Sequence, residues 1–212
     1  LNSWVMSSAI NTWSMFAGAA EFNQPLDNWT LGTVQNMDSM FAWTHAFNQP
    51  IEDWDVHSVI NFNSMFRASE AFDQPLAGWD TSSAQYMACM FCDAAVFNQP
   101  LNGWDMNGVV QTAEMFRNAQ SFNGAIGEWD TSTDMEMQAM FQDSHFNQDI
   151  SQWDTGNVRY MHAMFRNNHE FNQPIDDWDT GNVQYMNWMF ASAWAFNQPI
   201  YKWNTGNVYN ME

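Results

Sequence analysis

Eight phenylalanines, Phe22, Phe47, Phe72, Phe97, Phe122, Phe146, Phe171 and Phe196, cut the chain into units of 25 residues, one of them a residue shorter. With each Phe at offset 0, Leu or Ile stands at offset 4, Trp at 7, mostly Asp at 8, mostly Val at 12, Met at 15 and Met-Phe at 18 and 19. All 17 Phe obey this register, and nine of the 13 Trp occupy offset 7. A unit this short cannot bury its own aromatic side chains. Stacking solves the problem, because like residues of successive units then form continuous apolar columns.

The spacing predicts an α/β repeat solenoid over residues 1–212, a leucine-rich-repeat-like right-handed coil in one domain. The full units are 22–46, 47–71, 72–96, 97–121, 122–145, 146–170 and 171–195, with partial units 1–21 and 196–212. Offsets 15 to 22 carry Met-x-x-Met-Phe-x-x-Ala, the i, i+3, i+4, i+7 stripe of a short helical turn. Offsets 4 to 9, such as 175–180 between Pro174 and Gly181, have room for one short strand. Asn at offset 1, replaced once by Asp73, is expected to form an amide ladder along the stack. Asp-Thr-Gly-Asn at 154–157 and 179–182 is turn chemistry. Neither end reads as a polar cap, so the reading expects a longer array or capping by neighbouring chains.

Charge narrows the partners. The 24 acidic side chains face five Lys and Arg, for a formal net charge of −19, which disfavours nucleic acid and anionic membranes. No apolar run approaches the ~20 residues needed to span a bilayer.

FNQPLDNW at 22–29, WDTGNVRYMHAMF at 153–165 and WDTGNVQYMNWMF at 178–190 resemble the repeats of the BspA-like leucine-rich-repeat surface proteins. The resemblance covers essentially the whole chain. It implies secreted or surface-displayed proteins that mediate adhesion or protein binding, an extracellular or cell-surface location, and no catalytic motif. Two units depart from the pattern: Gly124-Ala125 replaces Gln-Pro, and Asp149 replaces Pro. The stack is expected to kink there or to expose a different face.

Candidate sites follow from shared offsets. Asp55, Asp80, Asp105, Asp130, Asp154 and Asp179 all stand at offset 8, and a row of carboxylates invites either backbone hydrogen bonds or bridging Ca²⁺. No cofactor is expected otherwise, and Ca²⁺ is the one possibility this row raises. Cys89 and Cys92 form one CxxC at offsets 17 and 20, which read as exposed. A disulfide, free thiols and metal or redox chemistry all stand open, although one pair is at most half a zinc site. Tyr86, Tyr160 and Tyr185 share offset 14, and with Trp13, Trp43, Trp188 and Trp194 they are the aromatic candidates for a binding face. His145 and His169 precede successive Phe by one and two residues and read as a surface pair. Thr at offset 9 suggests an ice-binding array, which Leu31, Val56 and Met106 interrupt.

The expected function is therefore non-enzymatic: adhesion or binding to a protein or glycan surface ligand. The alternative is a structural subunit of an extracellular filament, layer or larger assembly, with copies of itself as partners.

Overall fold

Offsets 4 and 7 lie three residues apart, yet both point inward: Leu26 and Trp29 are buried, as are Leu101 and Trp104. A strand cannot do this, because its side chains alternate between faces. The computed structural model, which describes residues 1 and 3–212, shows a tight turn instead. The N–H of Trp29 donates to the Leu26 carbonyl at 3.1 Å, and that of Val34 to Leu31 at 2.8 Å, so offsets 9 and 12 turn inward in the same way.

Offsets 15 to 22 also fold as successive turns. In the unit 22–46, Met40, Ala42 and Thr44 donate backbone N–H groups to the carbonyl three residues earlier, while Met37, Ser39, Phe41 and Trp43 donate to carbonyls of the next coil. The N–H of Asp38 donates to Asn36 Oδ1 at 2.9 Å, so all eight N–H groups of 37–44 are satisfied. An isolated helix of this length leaves its first four N–H groups orphaned. The geometry needs left-handed backbone at offsets 17 and 21, and φ lies between 52° and 60° at Ser39, Trp43, Ala163, Asn167 and every other non-glycine residue in those positions. Each such residue costs roughly 1–2 kcal/mol, which the four hydrogen bonds to the neighbouring coil offset.

The expected strand and helical turn per unit are therefore both wrong, and with them the α/β leucine-rich-repeat architecture. Among the described residues there is no helix, and β pairing is reduced to one isolated parallel bridge per coil at offset 14, from Asn11–Asn36 through to Tyr185–Asn210. Among the described residues no helix is long and apolar enough to cross a membrane.

The coils stack in register, and the columns expected along the stack are present. Trp104 and Trp129 are 6.4 Å apart between ring centroids and 5° from parallel. Within one coil junction the two Phe columns meet face to face, as in Phe116–Phe122 at 3.8 Å. Every ladder Trp from Trp29 to Trp203 also makes a polar contact. Nε1 of Trp104 donates to the Leu76 carbonyl of the preceding coil at 2.8 Å, and Trp54, Trp79, Trp129, Trp153 and Trp178 repeat the bond. Phenylalanine could fill much of that space but has no donor. Trp104→Phe is expected to lower stability by about 1–3 kcal/mol, read by urea denaturation, through loss of this buried bond and of indole volume.

Asn at offset 1 forms a different ladder from the amide stack anticipated. Its Oδ1 accepts the backbone N–H of the same position one coil on, as in Asn48 to Asn23 at 3.0 Å, and often the Nε2 of the following Gln, as in Gln74 to Asn48 at 2.8 Å. Only an acceptor is required. Asp73 supplies one equally well, taking the N–H of Asn98 and Nε2 of Gln99 at 2.9 Å each.

Candidate functional site

The offset-8 aspartates are committed to turns. Oδ1 of Asp80, Asp105, Asp130, Asp154 and Asp179 accepts the N–H two residues on, at 2.8 to 3.1 Å. The hydroxyl and N–H of Ser82 hold the Asp80 carboxyl below the usual range, and Ser132 does the same for Asp130. The neighbouring Thr81, Thr131, Thr155 and Thr180 are buried, and each hydroxyl donates to the offset-8 carbonyl of the next coil. An ice-facing Thr array is thereby ruled out. Asp55 differs in pairing with a cation-forming side chain: His57 Nδ1 lies 2.5 Å from Asp55 Oδ1, and His57 Nε2 lies 3.0 Å from Ser58 Oγ. This Asp-His-Ser relay stands on open surface, with Asp55 and His57 more than half exposed, and the Ser58 hydroxyl is 2.8 Å from the Gly32 carbonyl that accepts its proton. Without a water-excluding wall around it, the relay is a surface hydrogen-bond chain.

Cys89 and Cys92 are joined as a disulfide with Cα atoms 4.8 Å apart. The expectation that both positions are exposed fails for Cys92, which is fully buried because offset 20 turns partly inward. Together with Glu114 they are the one His, Cys, Asp or Glu trio among the described residues whose ligand atoms lie within 4.8 Å of one another. With the sulfurs bonded to each other, neither is a thiolate ligand.

The aromatic candidates divide into four kinds. Trp43 and Trp188 lie under Arg67 and Arg166, whose guanidinium carbons are 5.2 and 5.1 Å from the ring centroids, and both rings stay nearly half exposed. Tyr86, Tyr160 and Tyr185 sit at the bridge position, with Tyr160 and Tyr185 stacked at 5.4 Å. Trp13 is exposed on the first coil. Trp194 lies elsewhere, 4.1 Å from the His169 ring and parallel to it within 5°.

That pair belongs to an edge that sequence reading missed. Counted from their Phe, His45, His145 and His169 share offset 23, because the residue missing from 122–145 falls after the histidine. Gln120, His145, His169 and Trp194 therefore form one exposed column, beside a second at offset 21 made of Asn118, Asp143, Asn167 and Ser192. Together with Ser144 they line an open groove of about 380 Å³. Its floor is fixed from below: Asn118, Asp143 and Asn167 have left-handed backbone, and each N–H donates to the next coil. Its side chains are cross-linked, Asn167 Nδ2 to Asp143 Oδ1 at 2.6 Å, Gln120 Nε2 to Asn118 Oδ1 at 2.9 Å, and His145 Nδ1 against the Gln120 carbonyl at 2.8 Å.

The irregular coils shape this edge. In most other units the Phe N–H closes on the backbone carbonyl three residues earlier, as in Phe122 to Ala119 at 3.1 Å. Side chains take over here: Ser144 Oγ accepts from Phe146, and Asn168 Oδ1 accepts from Glu170 and Phe171. A second recess, of about 420 Å³, lies among Met186, Phe190, Ile200 and Trp203 on the last coil and has the apolar lining of the repeat interior.

A chain in which each unit completes one coil, and in which the core consists of columns shared between coils, is a tandem-repeat protein. It belongs to the family described as "Mycoplasma protein of unknown function, DUF285", whose model matches residues 1–91, 53–149 and 115–212. No curated protein and no solved structure matches it.

Proposed function

We propose that the chain is a non-catalytic repeat protein displayed outside the cell, which adheres to another surface through the edge groove of its stack. One observation carries this reading: the chain holds its interior nearly constant from unit to unit while varying the edge. Offset 7 is Trp in every unit, whereas offset 21 runs Trp43, Ala68, Asp93, Asn118, Asp143, Asn167, Ser192, and offset 23 runs His45, Glu70, Ala95, Gln120, His145, His169, Trp194. A fixed scaffold with a variable, laterally continuous face is the arrangement by which repeat proteins bind extended partners. The likeness to BspA-like surface repeats supports an exterior location and adhesion.

The test uses the whole chain and a variant altered only at the edge, Asp143→Asn with Trp194→Ala. The native protein is expected to bind intact source cells or their extracellular material, and the variant to lose at least tenfold in retained protein with an unchanged melting curve. Equal binding by the two would overturn the assignment of the groove. Antibody labelling of unpermeabilised cells checks the location.

A further inference from the structure

We infer that the groove between Asn118 and Trp194 is a subsite for a neutral oligosaccharide. The inference rests on the binding reading of this edge and names its ligand class.

The lining is of a particular chemical kind. The groove is bounded by Asn118, Gln120, Asp143, Ser144, His145, Asn167, His169, Ser192 and Trp194, with no Lys or Arg and no aliphatic side chain longer than the stems of these polar groups. A peptide side chain seeking an apolar pocket finds none, and an anionic ligand meets Asp143 on a chain whose formal charge is −19. Planar carboxamide and carboxylate groups alternate along the floor instead. These groups form and accept the paired hydrogen bonds that neighbouring sugar hydroxyls present.

Orientation is fixed before a ligand arrives. Asn167 Nδ2 gives one hydrogen to Asp143 Oδ1, and Gln142 Nε2 gives one to Asp143 Oδ2 at 2.8 Å, so the carboxylate plane is held from both sides. Asn167 keeps its second amide hydrogen and its Oδ1 for a ligand. At its end the groove carries the His169 ring stacked on Trp194 at 4.1 Å, which covers their facing sides and leaves the outer face of Trp194, 78% exposed, as the flat surface on which the C–H face of a pyranose packs. Preorganisation of this kind lowers the ordering cost that otherwise weakens binding of a flexible sugar. The volume, about 380 Å³, lies at the lower end of small-ligand sites and suits a segment of two or three sugar units within a longer glycan.

The experiment titrates the purified full chain, by calorimetry, with neutral linear tetrasaccharides of the gluco, manno, galacto and N-acetylglucosamine series, and repeats each titration with Trp194→Ala and Asn167→Ala. At least one series is expected to bind, with affinity falling tenfold or more in each variant while the melting temperature is unchanged. The same sugar should displace the protein from source cells. Stripping protein-linked glycans from those cells with an endoglycosidase identifies the source, glycoprotein if binding is lost and free polysaccharide if it persists, and either pattern supports the inference. Should the protein hold to the cells while no tetrasaccharide binds or competes, the sugar assignment fails and the adhesive reading stands. Absence of binding to cells and sugars alike would overturn both.

Discussion

Proline at position 163 is expected to cost the protein at least ~3 kcal/mol, whereas glycine there should leave stability within about 1 kcal/mol of the native chain. Ala163 is buried, has φ at 55°, and donates its N–H to the Asn187 carbonyl of the next coil at 2.9 Å. Proline locks φ near −65° and has no N–H, so it opposes the turn and deletes a bond between coils at one stroke. Glycine relieves the Cβ clash of left-handed backbone, which roughly balances its greater freedom in the unfolded chain. Urea denaturation of both variants reads the contrast. A proline variant as stable as the native chain would remove the left-handed turn and its bond between coils from this account.

The second large effect concerns Asp134. It stands at offset 12, where most units have Val, and it is buried with its carboxylate on the hydroxyl of Thr112, which occupies the offset-15 place of Met in the preceding coil. Loss of hydration pushes its pKa from 3.8 up to about 7, against the bonds from Thr112 and the Glu136 N–H, and the nearby Glu136 charge adds to the rise. Between those two values the folded state holds a proton that the unfolded chain has released. Stability therefore falls as pH rises from about 4 through about 7, and above that the charged carboxylate stays buried. Thr112→Met with Asp134→Val restores the residues usual in the repeat. The double variant is expected to gain on the order of 3–4 kcal/mol at pH 8, far less at pH 4, and to flatten the pH dependence between them. Denaturation curves at the two pH values decide it, and a gain of equal size at both would remove the ionisation from the account.

The columns were legible because they depend only on register. Trp104 above Trp129, and Phe116 against Phe122, follow from counting residues. Local conformation was less so, since inward residues at offsets 15, 18, 19 and 22 fit a helical turn and a run of tight turns equally well. What decides between them is the destination of the N–H groups of Met37, Ser39, Phe41 and Trp43, which lies in another unit. Two clues were nevertheless present. Offsets 4 and 7 are an odd number apart and both apolar, which excludes a strand, and Asp93, Asn118, Asp143 and Asn167 at offset 21 are residues that tolerate left-handed backbone best.

The edge site was harder to see, because it emerges only when two columns are placed side by side and the shortened unit is aligned on its histidine. The turn role of the offset-8 aspartates was readable from Asp-Thr-Gly. The use of Asn Oδ1 as a plain acceptor was signalled by Asp73, the single exception in its column.

The alternation of bonds within and between coils has a bearing on how such genes vary. The bonds between coils of 22–46 all run to the unit alongside, so excising or duplicating one whole unit rejoins like surfaces and leaves the remaining junctions of the same kind. Rod length then changes by one rung of ~4.8 Å while the chain still folds. Recombination at the unit boundary would thus let a lineage shorten, extend or reshuffle the sequence of edge residues, like letters moved along a ruler, without having to invent a new interior.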